Sequence, residues 1–201
     1  YRPRSFITPN WDLVIEISLR AINPNYFPFC YGYGFTPDYF DGGGGVYRWD
    51  VPPAGESWQF PISLLKLHGS LNWTACPQCK RIYIHNKLNL HKAWADPQQF
   101  VYRICAIDGA PLRLNFLPFG WAKDVSPMPY TAIWRKAYDE LSTSEEIIVI
   151  GLSFRESDFA IRDLIFRALS ANSCLRSVKV VDRNANEPDF QNRITSIFRS
   201  I

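Results

Sequence analysis

The residues able to do chemistry fall into two groups. The first centres on His68 in "LLKLHGSLNW" (64–73), where an apolar run ends on an imidazole and Gly69 and Ser70 follow. An imidazole exchanges protons near neutral pH. Open α/β sheets keep their ligand sites at the carboxyl ends of parallel strands, so a histidine in that place has a reason to be there. The competing reading is a histidine satisfied at the edge of a core. The second group is Cys76-Pro-Gln-Cys79, which has zinc-knuckle spacing, with Cys105 beyond the stretch 80–104 as a second half. Asp108, His85 and His91 compete for a fourth ligand place. A closed site of this kind leaves no open coordination position, so its role would be structural.

These residues need a scaffold, and the composition allows one. The chain has 201 residues, 47% hydrophobic and 20% charged, enough for a sizeable core and typical of a globular protein. Twenty-two Lys and Arg against 19 Asp and Glu give +3, too small and too scattered an excess to imply nucleic acid. No apolar run is long enough to span a bilayer, so no membrane partner is expected. Five cysteines, an odd number with one Cys-x-x-Cys pair, favour a metal site in a reducing compartment, and we expect a cytoplasmic protein.

The periodicity predicts a strand at 5–8, then a helix in "NWDLVIEISLRAI" with Trp11, Ile15, Ser18, Leu19 and Ile22 on one face. Asn23-Pro24 ends it. Residues 23–62 form an aromatic, Pro- and Gly-rich excursion, and 74–115 form an inserted cysteine module. Further strands are expected at 63–67, 146–151 and 177–182, the "EIIVIG" strand being continuously apolar as buried parallel sheets require. Helices are expected in "PYTAIWRKAYDELS", in "DFAIRDLIFRALSAN" with Asp158 as its N-cap, and from Pro188 onward. This alternation predicts an α/β fold with a doubly wound parallel sheet. No Gly-x-Gly-x-x-Gly turn follows a strand, and Gly42 to Gly45 has aromatic loop on both sides. The chain is therefore expected to begin after a phosphate-binding first βα unit.

Four stretches carry a family resemblance: "FITPNWDLVIE" (6–16), "KLHGS" (66–70), "IVIGLSFRESD" (148–158) and "VVDRN" (180–184). Each is a strand running into a polar turn, and together, in this order, they resemble the sirtuin-like family, specifically its bacterial Sir2-like branch. The run "PYTAIWRKAYDELSTSEEIIVIGLSFRESD" is similar to that branch throughout. The chain departs from the pattern at Pro9 and Trp11, and "FLPFGWAK" (116–123) lacks the usual Phe-Gly-Glu of the peptide groove.

The resemblance implies a Rossmann-like, Sir2-type domain in 1–73 and 116–201, with the excursion 23–62 inside it and a zinc-ribbon-like module at 74–115. It implies NAD as substrate, with hydrolysis of its nicotinamide–ribose bond, as in effectors of bacterial anti-phage defence. A protein-lysine deacylase and a non-catalytic NAD or ADP-ribose sensor are the alternatives. His68 would be the general base and Asn10 would orient the ribose hydroxyl or the attacking water. Asp12 would accept from the carboxamide, and Thr8 and Gly69 would line the same pocket. Gly151 and Ser153 would face phosphate, and Asp182 and Asn184 the adenosine ribose. The metal set would be Cys76, Cys79, Cys105 and Asp108, holding zinc. Asn10 also suits a helix N-cap and Asp12 a first-turn acid, which are their structural readings. Homo-oligomers or additional domains in the parent protein are expected.

Overall fold

The computed structural model describes residues 4–22, 31, 35–40, 44–49, 62–80, 82–85, 104–105, 107–117, 129–152, 154 and 158–198. Two compact units are present, Tyr1–Pro118 with Pro127–Ile133, and Phe119–Ser126 with Trp134–Ile201. No helix among the described residues is long and apolar enough to cross a membrane.

The first unit opens with β1 (Arg4–Thr8) and α1 (Val14–Ile22), followed by β2 (Phe35–Phe40), β3 (Gly44–Trp49) and β4 (Ile62–Lys66). Then come β5 (Gly69–Ala75), β6 (Ile82–His85) and β7 (Arg113–Phe116). β1 and β4 pair in parallel, with Arg4 opposite Ile62 and Thr8 opposite Lys66. The remaining strands form a five-stranded antiparallel sheet in the order β2-β3-β6-β5-β7. Strands from the excursion 23–62 and the cysteine stretch 74–115 pair with each other, Gly44 to Val46 lying against Tyr83 to His85. β5 anchors this sheet with a fully buried Trp73, and Leu64, Leu65 and Leu67 beside it are equally enclosed. Burying each such side chain is worth about 1.5–3 kcal/mol, so this stretch is a main source of the unit's stability.

Helix α2 (Tyr130–Ser142) is followed in the second unit by β8 (Glu146–Ile150), α3 (Phe159–Ser170), β9 (Ser177–Val181) and α4 (Pro188–Phe198). α2 buries Tyr130, Ile133, Ala137 and Leu141 at helical spacing, and α3 buries Ile161, Leu164, Ala168 and Leu169. β8 and β9 pair in parallel from Glu146–Ser177 to Ile150–Val181, with α3 as the crossover that such a pair needs. Val149, Phe154 and Ile197 form its core, joined by Ile147, Val178 and Val180. The expectation that "EIIVIG" is buried on both faces does not hold. Ile148 and Ile150 are 55% and 72% exposed, because alternate residues of β8 point away from that core.

The chain is thus α/β with two parallel strand pairs. Asp158 stands at the N-cap of α3 as expected but makes no side-chain capping bond.

Candidate functional site

Parallel pairing of β1 with β4 delivers two turns to one sheet edge. The β1–α1 turn (9–13) carries Asn10 and Asp12, and the β4–β5 turn (67–68) carries His68. Main-chain bonds lace them together. The Leu67 N–H donates to the Thr8 carbonyl at 2.9 Å, and the Leu71 N–H to the Trp11 carbonyl at 2.9 Å. The Trp11 ring lies 5.5 Å from that of Phe116, which pairs with Gly69. Within the first turn, the Asn10 N–H donates to Thr8 Oγ1 at 3.1 Å, and the Val14 N–H to Asp12 Oδ1 at 3.0 Å. Asp12 therefore caps α1, the role that Asn10 also suited by residue type. Asn10 is exposed, Asp12 half-buried and Thr8 buried.

His68 differs from expectation. A general base at a ligand site needs an open imidazole, whereas His68 is only 1% exposed. The cause lies in how Gly69 turns. Its φ of +79° does redirect the chain, but into β5, which runs back against β7. The Leu117 N–H donates to the His68 carbonyl at 2.8 Å and closes that corner. A Cβ on Gly69 would stand 2.7 Å from the Asn115 carbonyl oxygen and 2.8 Å from the Tyr130 hydroxyl. Only glycine combines this φ with that approach.

Beneath the two turns lies a polar cluster that the sequence reading missed. Lys66, 1% exposed, forms an ion pair with Glu16 Oε1 at 2.9 Å and donates a second bond to the Asp12 carbonyl. Glu16 Oε1 also accepts from the Tyr31 hydroxyl at 3.3 Å and from Ser70 Oγ at 3.4 Å. The Asn72 amide reaches the Tyr31 hydroxyl at 3.4 Å. Burial pulls the Lys66 ammonium below its ordinary value, opposed by the Glu16 carboxylate. The signal was present: a lysine inside "LLKL", a run buried on both sides, demands a partner.

The cysteine region forms two knuckles of one design. The Gln78 N–H donates to Cys76 Sγ at 3.3 Å, and the Ile107 N–H to Cys105 Sγ at 3.5 Å. The Lys80 N–H returns to the Cys76 carbonyl, and the Gly109 N–H to the Cys105 carbonyl. Lys80 and Gly109 both close their turns at positive φ, 62° and 71°. Asp108 thus occupies in the second knuckle the slot that Cys79 occupies in the first. The ligand atoms of Cys76, Cys79, Cys105 and Asp108 all lie within 4.8 Å of one another. Cys79 Sγ is 3.5 Å from Cys105 Sγ, and Cys76 Sγ 3.2 Å from Asp108 Oδ2. A tetrahedron with metal–sulfur arms of about 2.3 Å has edges of roughly 3.8 Å, so the donor set fits zinc. Of the rival ligands, His91 lies outside the described residues, as does the His85 side chain.

The electrostatics favour ligation. Burial pushes the Cys105 thiol up, but the Tyr83 hydroxyl at 3.0 Å and the backbone of Ile107 and Asp108 outweigh it and leave the thiol below its ordinary value. The Asp108 carboxyl is held down to about 2, first by the Ala110 N–H and further by the neighbouring cysteines.

The second unit collects the other expected positions at the carboxyl ends of β8 and β9. Gly151 donates its N–H to the Val181 carbonyl at 3.0 Å. Asp182, half-buried, accepts the Asn184 N–H at 2.8 Å and so shapes its own turn. Ser153 lies outside the described residues.

No family model matches the chain, and no curated protein sequence matches it. Solved structures similar to it include sirtuins. One, of Sir2 bound to acetylated peptide, is 14% identical, covering 67% of this chain and 55% of that one with a TM-score of 0.34. A Sir2 homolog–NAD complex is 13% identical over 69% of this chain and 52% of that one, TM-score 0.34. Sir2 with the inhibitor EX-527, 2'-O-acetyl-ADP-ribose and a deacetylated p53 peptide is 16% identical over 68% and 57%, TM-score 0.34. The chain spans little more than half the length of these proteins.

Proposed function

We propose that the chain is a Sir2-like, Rossmann-type domain that binds NAD and hydrolyses its nicotinamide–ribose bond, serving as the effector part of a bacterial anti-phage protein. The observation that carries this reading is the register of β1 on β4. Thr8 opposite Lys66 puts the Asn10 turn and the His68 turn at one edge, where the sequence motifs require them.

In this reading His68 takes a proton from the ribose hydroxyl or the incoming water, a contribution typically of about 10²–10⁴ in rate. The exposed Asn10 amide orients that group, and Asp12 accepts from the carboxamide while Thr8 and Gly69 shape the pocket floor. Gly151 and Ser153 receive phosphate, and Asp182 and Asn184 the adenosine ribose, at the carboxyl ends of a doubly wound sheet. Cys76, Cys79, Cys105 and Asp108 hold zinc, which when bound supplies structural cross-linking of the two knuckles.

The burial of His68 adds a condition: NAD must part the side chains that cover the imidazole. Hydrogen exchange at residues 67–69 should therefore change when NAD is added. The decisive experiment measures nicotinamide release by the chain, within its parent protein where further domains exist, with and without an acetylated peptide. The expected rate is independent of peptide and abolished in His68→Ala and Asn10→Ala at unchanged melting temperature. Coupled formation of O-acetyl-ADP-ribose would replace hydrolysis by deacylation, and NAD binding without turnover would leave a sensor.

A further inference from the structure

The Lys66–Glu16 pair has no part in the chemistry just described, yet it places two charged side chains almost wholly out of solvent. Replacing a buried ion pair with apolar groups of similar volume is often neutral or stabilising, so stability alone does not account for it. Its geometry does. The Lys66 ammonium reaches across from the end of β4 to the main-chain carbonyl of Asp12, in the middle of the β1–α1 turn. Its charge is answered by Glu16, in the first turn of the helix that this turn leads into. Glu16 Oε1 is itself fixed by the Tyr31 hydroxyl and Ser70 Oγ.

We infer that Lys66 and Glu16 are positioning residues that clamp the turn bearing Asn10 and Asp12 against the turn bearing His68. Three consecutive constraints then act on that turn. The Leu71 N–H holds the Trp11 carbonyl, Lys66 holds the Asp12 carbonyl, and the Asp12 carboxylate holds the Val14 N–H. Removing the lysine leaves the outer two in place and frees the centre. Asn10 is exposed and lies two residues before the clamped carbonyl, so its orientation depends on the turn being held. The catalytic consequence rests on the function proposed above; the mechanical one does not.

The test is the double variant Lys66→Met with Glu16→Leu, which replaces both partners and leaves no buried charge. Three quantities are read: melting temperature, amide hydrogen exchange at residues 11–14, and kcat and KM for nicotinamide release. We expect a melting temperature near wild type, exchange at 11–14 faster by about tenfold or more, and kcat down by roughly 10–100-fold with KM moving less, as a misplaced turn would give. A merely structural pair predicts wild-type exchange and kcat in the double variant, and that result would overturn the clamp. Should the double variant not fold, Glu16→Gln keeps shape and an acceptor; a smaller rise in exchange confined to 11–14 supports the clamp, and no rise ends it. If the wild-type chain releases no nicotinamide, the proposed function falls, while the exchange comparison still decides the clamp.

Discussion

Lys66 and Cys105 are each 1% exposed, sit in the same unit, and carry or acquire charge, but the chain supports them by opposite means. Lys66 is met by Glu16, a partner 50 positions earlier that arrives only because β1 lies on β4. Cys105 is met by the Ile107 N–H two positions later, and by Tyr83 from the adjacent sheet. One support is built by topology, the other mostly by a local turn. The difference teaches that a local site tolerates loss of a partner gracefully, while a topological one does not.

The largest expected effect breaks the topological site. Lys66→Ala should cost about 3–5 kcal/mol, because Glu16 is left as an uncompensated buried charge. Denaturant unfolding measures this, and a loss below about 1 kcal/mol would mean that water reaches Glu16 as readily as it would reach a surface acid.

Next comes the corner between the two turns. Gly69→Ala forces a side chain into positive φ, a strain of about 1–3 kcal/mol, and adds overlap with the Asn115 carbonyl at 2.7 Å. Backbone cannot move aside as a flexible side chain would, so we expect at least the upper end of that range. Thermal unfolding with the melting temperature unchanged would show that β7 can give way.

How legible each region was follows from the same contrast. The three cysteines could be picked out from spacing, since a knuckle needs only a few residues to set its sulfur and its N–H donors, whereas the gathering of Asp108 beside them, ahead of its rivals His85 and His91, could not. The strands at 4–8, 62–66, 146–150 and 177–181 were legible as apolar runs, and the helical faces of α2 and α3 from their period. The pairing of β3 with β6 was not, because cross-strand register leaves no mark in either segment alone. Glu16 was hidden for a similar reason: on a helix wheel it reads as a solvated first-turn acid. The strand before His68 was legible, but its burial was not: the corner is closed by the Leu117 N–H on the His68 carbonyl and by Phe116 opposite Gly69, residues that no local pattern ties to it.

On the local side, Tyr83→Phe removes the hydroxyl 3.0 Å from Cys105 Sγ while keeping the ring in place. Loss of an outer-shell partner of this kind typically weakens metal affinity by 10–100-fold, so zinc competition against a chelator should shift within about that window. Cobalt substitution offers a second reading, since three thiolates and a carboxylate give weaker sulfur charge-transfer absorption than the four thiolates of Asp108→Cys. Equal absorption in the two proteins would remove Asp108 from the ligand set.

The smallest effect is the acid limb of the metal-free chain, and it isolates Asp108. Its carboxyl lies at about 2 in the folded chain against an ordinary 3.8, so the folded state holds the ionised form more strongly than the unfolded one. A depressed carboxyl contributes stability that is fully present above the unfolded value and is lost as pH falls through the folded one. Asp108→Asn should therefore lower stability slightly at pH 7 and flatten its fall between about pH 4 and pH 2, so that the two chains converge at the acid end. The neutral amide keeps an oxygen for the Ala110 N–H, so the turn itself survives. Because Asp108 is exposed, solvent screening keeps the effect small, and it should shrink further in high salt. Urea unfolding of the chelated wild-type and Asp108→Asn chains at pH 2.5, 4 and 7 makes the comparison. Parallel acid limbs would show that the knuckle's N–H donors, and not the carboxylate they hold, set the stability of this turn.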